Sequence, residues 1–213
     1  MTHVVWDWNG TLLDDNHAVL AAVNEVCAGF GRADLTWAEW QTAYARPMRV
    51  SYEQILARTL DEEEWARVDK LYHERYDALL STRDLAAGVP DVLRQWNESG
   101  RTQSLLSMWF HVRLTPTVEH FGLTPYFTRV DGLVADIGGE SKADSLIRHL
   151  DAQELDPAEV VLIGDVVDDA QAAQAAGARS ILVSTGAMTR GALETTGVPV
   201  TGSIAEALQL LEI

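Results

Sequence analysis

His3-Val4-Val5-Trp6, running into Asp7-Trp8-Asn9-Gly10-Thr11, is the stretch from which the rest of the chain is read. A short apolar run of this kind forms a strand that a parallel sheet buries on both faces. A carboxylate where such a strand ends, followed at once by a Gly turn, sits at the edge where open α/β sheets bind ligands. An Asp there can attack an electrophile as a nucleophile or hold a hard cation such as Mg²⁺. Asn-Gly is also an ordinary turn dipeptide, so these residues alone leave a solvated strand end equally open.

Beyond Leu12-Leu13-Asp14-Asp15 the periodicity changes from strand to helix. Ala18, Val19, Ala22, Val23, Val26, Cys27 and Phe30 recur at helical spacing, and Gly29 and Gly31 end the run. Thr36-Trp37-Ala38-Glu39 reads as a capping box opening a second helix, which Arg46-Pro47 breaks. Ser51 caps a short third helix, and Asp61 to Glu64 opens a longer fourth with Trp65, Val68, Tyr72 and Tyr76 on one face. From about Asp15 to Leu85 the pattern predicts helices and no strand.

From Ala86 onward helices and strands alternate. Pro90 opens a helix closed by Gly100, and Gln103 to Ser107 reads as a strand. Thr115-Pro116 opens a short helix, and Phe127 to Val130 is a weaker strand. Ser141 caps a helix with Leu146, Ile147 and Leu150 inward. Val160 to Ile163 is the strongest strand, Asp168 to Ala176 an Ala-rich helix, Ile181 to Val183 another strand, and a last helix starts near Ile204. This alternation predicts an α/β fold with a doubly wound parallel sheet. The first strand belongs with the later ones, so the helical block is an insertion: residues 1–14 and 86–213 form the core, and 15–85 an all-helical domain.

With 213 residues, 47% of them hydrophobic, the chain can bury a sizeable core. A formal net charge of -16 argues against nucleic acid and against an anionic membrane surface as partners. A small anionic substrate would need a locally positive site. The single cysteine, Cys27, lies on the apolar face of a predicted helix, which permits no internal disulfide and fits a reducing compartment. No apolar run has the length of a membrane span, and the N-terminus has no signal-peptide pattern, so a soluble, cytoplasmic protein is expected.

Three further polar landmarks follow Asp7 in order at strand ends or helix starts: Ser107, Lys142, and Asp165 with Asp169. In a parallel sheet all strand C-termini emerge on one edge, so Asp7, Ser107 and Asp165 can converge. The carboxylates of Asp7, Asp165 and Asp169 would supply the oxygen ligands that Mg²⁺ prefers. Asp168 reads instead as an acid favoured by a helix N-terminus. The Ser107 hydroxyl and the backbone N–H groups after a strand can hold phosphate oxygens. Lys142 is one of only two lysines, and a lysine at a helix start opposes the dipole preference. Neutralising a phosphate and the Asp7 carboxylate would account for it.

With these motifs in this order, the sequence resembles the haloacid dehalogenase-like hydrolases, most of them Mg²⁺-dependent phosphatases, and in layout their phosphoglycolate phosphatase-like branch. The resemblance spans nearly the whole chain, and it implies that the helical insertion is a mobile cap. It also implies that Asp7 is the nucleophile, forming an aspartyl-phosphate, and that Asn9 offers its backbone carbonyl to Mg²⁺. Thr11 would steady the loop on the phosphate-binding side, and Ser107 would bind the transferring phosphoryl group. Lys142 would pair with that group and with Asp7, while Asp165 binds Mg²⁺ and Asp169 binds or supports it. The implied substrate is a small phosphorylated metabolite.

One position departs from the family pattern. The residue two after the nucleophile is usually a second Asp acting as general acid and base, and here it is Asn9. Three readings stay open: a substrate with a good leaving group; a proton delivered by His111 or His17; or a catalytically weak relative that binds a phospho-ligand or a protein partner. Arg46 and Arg49 are candidates for recognising a carboxylate or second phosphate, with solvated loop charges the alternative. His120, His149, Trp37 and Trp40 are read as structural.

Overall fold

The computed structural model describes residues 2–134 and 141–211. The chain divides into two compact units: Met1–Leu13, Leu85–Gly186 and Arg190–Ile213 make one, Asp14–Asp84 with Ala187–Thr189 the other.

In the first unit, β1 (His3–Trp6) is buried throughout, as its unbroken apolar run requires. The chain then passes through a two-residue strand, β2 (Leu13–Asp14), into the second unit. That unit holds α1 (Asn16–Gly29), α2 (Trp37–Ala43), α3 (Met48–Leu56) and α4 (Glu62–Ala78). The expected capping box is present: the Thr36 side chain accepts from Glu39 N–H, and the Glu39 carboxylate accepts from Thr36 N–H. Asp61 and Glu64 form a second one at the start of α4. Val23, Val26, Cys27, Trp40, Tyr52, Ile55 and Val68 close into one apolar cluster.

The chain returns through β3 (Asp84–Leu85), which pairs with β2. Of these two short strands β3 lies within 15–85 and is the exception to its strand-free reading. There follow α5 (Val89–Glu98), β4 (Gln103–Phe110), α6 (His111–His120), β5 (Val130–Leu133) and α7 (Lys142–Asp151). The chain continues with β6 (Val160–Gly164), α8 (Val167–Ala176), β7 (Arg179–Val183), α9 (Arg190–Glu194), β8 (Val200–Thr201) and α10 (Ile204–Gln209).

Six strands form one sheet in the order β5-β4-β1-β6-β7-β8, parallel at every described pairing. The fold is the doubly wound α/β sheet expected, with β1 in its interior and the order reversing on either side of it. Ligands of such sheets bind at that reversal, beyond the strand C-termini.

Several details differ from the sequence reading; β5, expected over Phe127 to Val130, runs over Val130–Leu133. β4 continues past Ser107 to Phe110, because Met108-Trp109-Phe110 prolongs the apolar run, and its pairing with β5 shifts register between Leu106 and Phe110. α6 starts at His111 and carries Pro116 inside it, rather than opening at Thr115. On α7 the buried residues are Lys142, Ser145, Leu146, His149 and Leu150, whereas Ile147 is 40% exposed.

Candidate active site

Register brings the landmarks together. Trp6 stands opposite Leu105 of β4 and Ile163 of β6, so Asp7 and Asp165 leave the sheet at the same edge, with Ser107 on β4 two residues past the level of Trp6. Asp7 N–H donates to the Ile163 carbonyl at 2.8 Å, prolonging the ladder to the carboxylate itself. Asp7, Asp165 and Asp169 are buried, each offering a carboxylate oxygen within 4.8 Å of the others. Asp169 sits in the first turn of α8, where its Oδ2 accepts from Val166 N–H at 3.0 Å.

Lys142, the first residue of α7, is also buried, and its Nζ pairs with Asp7 Oδ1 and with Asp169 Oδ1. Burial is the largest influence on Asp7; Lys142 opposes it and Asp169 adds to it, and the carboxyl is raised to about 6. Burial works against the Lys142 ammonium, but Asp169 and Asp7 outweigh it and push its value up. Three buried carboxylates facing one ammonium leave an excess of negative charge that a small cation would offset. The donor set is all oxygen, which suits Mg²⁺ rather than a softer metal.

The space for this cluster depends on glycines. Gly10 has φ of +73°, open to glycine at no steric cost, and a Cβ there would meet Asp165 Oδ2 at 2.6 Å and the Gly186 Cα at 2.9 Å. A Cβ on Gly186 would stand 1.9 Å from Asp165 Oδ2. Thr185 Oγ1 donates to the Gly10 carbonyl at 2.8 Å and ties the loop after β7 to the loop after β1. Sequence reasoning passed over Ser184-Thr185-Gly186. The signal was available: a polar, Gly-containing stretch directly after a buried strand, the same pattern that singled out Asp7 to Thr11.

The other expected residues fall into place unevenly. Thr11 is fully buried and its Oγ1 donates to Asp165 Oδ1 at 3.4 Å. Ser107 is buried where the β4–β5 register breaks, with its Oγ accepting from Trp109 N–H at 3.1 Å. Asn9 is half-buried and forms a single β-bridge with Leu13.

Within the helical unit Arg49 is committed to its own surroundings. It bonds Glu62 at 2.6 Å, Glu53 at 3.3 Å and the Leu60 carbonyl. Arg46 is exposed, with Nε donating to Tyr44 Oη at 3.1 Å. His111 Nδ1 accepts from Gly132 N–H at 3.2 Å, and His17 Nε2 lies 3.0 Å from Thr82 Oγ1.

This arrangement meets its relatives in sequence as well as in shape. The haloacid dehalogenase-like hydrolase profile matches residues 4–183. The chain belongs to that family. Among the curated relatives of this haloacid dehalogenase-like hydrolase, phosphoglycolate phosphatase 1 of Pseudomonas aeruginosa is 26% identical over 190 residues, covering 86% of this chain and 69% of the relative. The phosphoglycolate phosphatase of Caulobacter vibrioides is 27% identical over 202 residues, 91% of this chain and 83% of its own. Among solved structures, a predicted phosphatase from Clostridium acetobutylicum superposes with a TM-score of 0.85 at 20% identity, covering 100% of this chain and 99% of that one.

Proposed function

We propose that the protein is a Mg²⁺-dependent phosphatase of a small phosphorylated metabolite, working through an aspartyl-phosphate on Asp7. The observation that carries this reading is the buried Lys142 ammonium bridging Asp7 and Asp169 beside Asp165. The names of the relatives support phosphoglycolate as the first substrate to test.

Asp7, Asp165 and Asp169, with the Asn9 carbonyl, would hold the ion. When bound, it supplies charge neutralisation on the phosphoryl oxygens. An Asp7 carboxylate oxygen bonds to phosphorus while the ester P–O bond breaks, and the leaving oxygen takes the electron pair. Lys142 keeps Asp7 ionised and balances the transferring group, and Ser107 donates its hydroxyl hydrogen to a phosphoryl oxygen. Water then cleaves the acyl phosphate, restoring the Asp7 carboxylate and releasing phosphate. Asn9 has no proton to give the leaving group, so a substrate whose leaving group departs as a stable anion suits this site. Arg46 remains the candidate for binding a second anionic group.

The test is Mg²⁺-dependent phosphate release from an aryl phosphate and from phosphoglycolate, by the wild type and by Asp7→Asn. The wild type is expected to release phosphate from the aryl ester at least, and the variant from neither. Release at the wild-type rate by Asp7→Asn would refute the mechanism. Asn9 also favours a second reading, a weak or inactive relative that binds a phospho-ligand. Background release across a broad substrate panel, with measurable phosphate-ester binding, would select it.

A further inference from the structure

A chain of hydrogen-bonded polar side chains, buried at its centre and exposed at both ends, runs beneath α7 and takes no part in the chemistry above. His149 is 1% exposed. Its Nδ1 lies 2.8 Å from Asp131 Oδ2 on β5, and its Nε2 lies 2.8 Å from Ser104 Oγ on β4. Ser104 Oγ lies 2.8 Å from His3 Nε2 on β1, and His3 Nδ1 lies 2.7 Å from Thr102 Oγ1. Arg129 Nε closes the other end on Asp131 at 2.5 Å.

Directions within the chain are partly fixed by valence. A carboxylate only accepts, so His149 Nδ1–H donates to Asp131. Ser104 has one hydrogen between two imidazoles, so it donates to one ring and accepts from the other. Burial works to raise Asp131, but hydrogen bonds from His149 and Arg129 outweigh it and hold the carboxyl at about 2.

We infer that His149 is a positioning residue for Lys142: its bonds to Asp131 and Ser104 set the rotation of α7 so that the ammonium reaches Asp7 and Asp169. Lys142 and His149 are seven residues apart, close to two helical turns, and so lie on one face about 10 Å apart along the axis. The rest of that buried face is Ser145, whose hydroxyl makes no hydrogen bond among the described residues, and the apolar Leu146 and Leu150, packed against Val5, Leu106, Val160 and Leu162. Apolar burial is non-directional and tolerates a small rotation or slide of the helix. Hydrogen bonds from one side chain to two adjacent strands do not. A rotation by one residue, about 100°, would carry Lys142 off the carboxylates.

The inference rests on Lys142 acting in the proposed site, and its test separates the two. The chain has two lysines, Lys70 and Lys142, so ¹⁵N-lysine labelling yields two side-chain resonances. The Lys70 side chain is 71% exposed, 3.8 Å from Glu74, and serves as the internal reference. His149→Leu keeps an apolar side chain of similar size against the core and removes both bonds.

The variant is expected to move the Lys142 resonance toward that of Lys70 while Lys70 stays put. It should also lower kcat about 10- to 100-fold with little change in KM, the cost of about an ångström of misplacement. Asp131→Asn and Ser104→Ala, each weakening one link, are expected to give smaller changes in the same direction, and they carry the test if His149→Leu does not fold. A folded variant whose Lys142 resonance stays at the wild-type position overturns the inference, whether or not phosphatase activity is found.

Discussion

An amide at position 9 cannot hand a proton to a departing alkoxide, and general acid help is worth about 10²–10⁴-fold. Asn9→Asp is therefore expected to raise the rate on an alkyl phosphate about 100-fold or more while changing an aryl phosphate far less. A plot of log kcat against leaving-group pKa should be steep for the wild type and flatter for the variant. Equal slopes would mean that the proton already comes from elsewhere, with His111 the next residue to change. Gly186 offers a second test: a Cβ 1.9 Å from the Asp165 carboxylate must push that side chain aside. Gly186→Ala should fold and need about 10- to 100-fold more Mg²⁺ for half-maximal activity, as displaced support of metal ligands does; an unchanged Mg²⁺ requirement would show that Asp165 does not hold the ion. Asp7, Lys142, Asp165 and Asp169 were legible in the sequence because each stands where a strand ends or a helix starts. For Gly186 only its place after a buried strand was readable; what makes a glycine necessary there is a carboxylate 21 residues earlier in the chain.

Among elements, the strands with unbroken apolar runs, β1 and β6, were readable almost to the residue. β4 was not, because Ser107 looked like its end and is instead the point where its pairing with β5 slips. α7 shows a different limit. Its periodicity marks Ile147 and His149 equally as near the inner face, and only the partners waiting on β4 and β5 decide that the imidazole goes in. Arg49 on α3 was singled out for its charge and its place beside Arg46-Pro47, but Glu53 and Glu62 take that charge up locally. Arg49→Ala is expected to lower the melting temperature slightly and to leave KM for phosphoglycolate unchanged. A severalfold rise in KM with unchanged stability would support the substrate-binding reading.

Across the whole molecule, which carries a formal net charge of -16, buried titratable groups respond to pH in opposite senses. His3 is the clearest of them: burial, and then the charge of His149, lower its value from 6.5 to about 4. Between those values the unfolded chain binds a proton that the folded chain does not, so the His3 contribution to stability is complete above about pH 6.5 and is lost as pH falls toward 4. Asp131, held at about 2, loses its contribution only below that window. Asp7, raised to about 6, acts the other way, favouring the folded state as pH falls from 6 toward 3.8. A melting curve of the wild type alone would mix these effects. The difference in melting temperature between the wild type and His3→Gln isolates the imidazole, because groups that do not contact the altered site cancel in the subtraction. That difference is expected to be largest at pH 7 and to shrink by several degrees between pH 6.5 and pH 4.5. If it stays constant, His3 takes up its proton as readily in the folded chain as in the unfolded one, and the Ser104 hydroxyl does not hold it in a neutral, buried state.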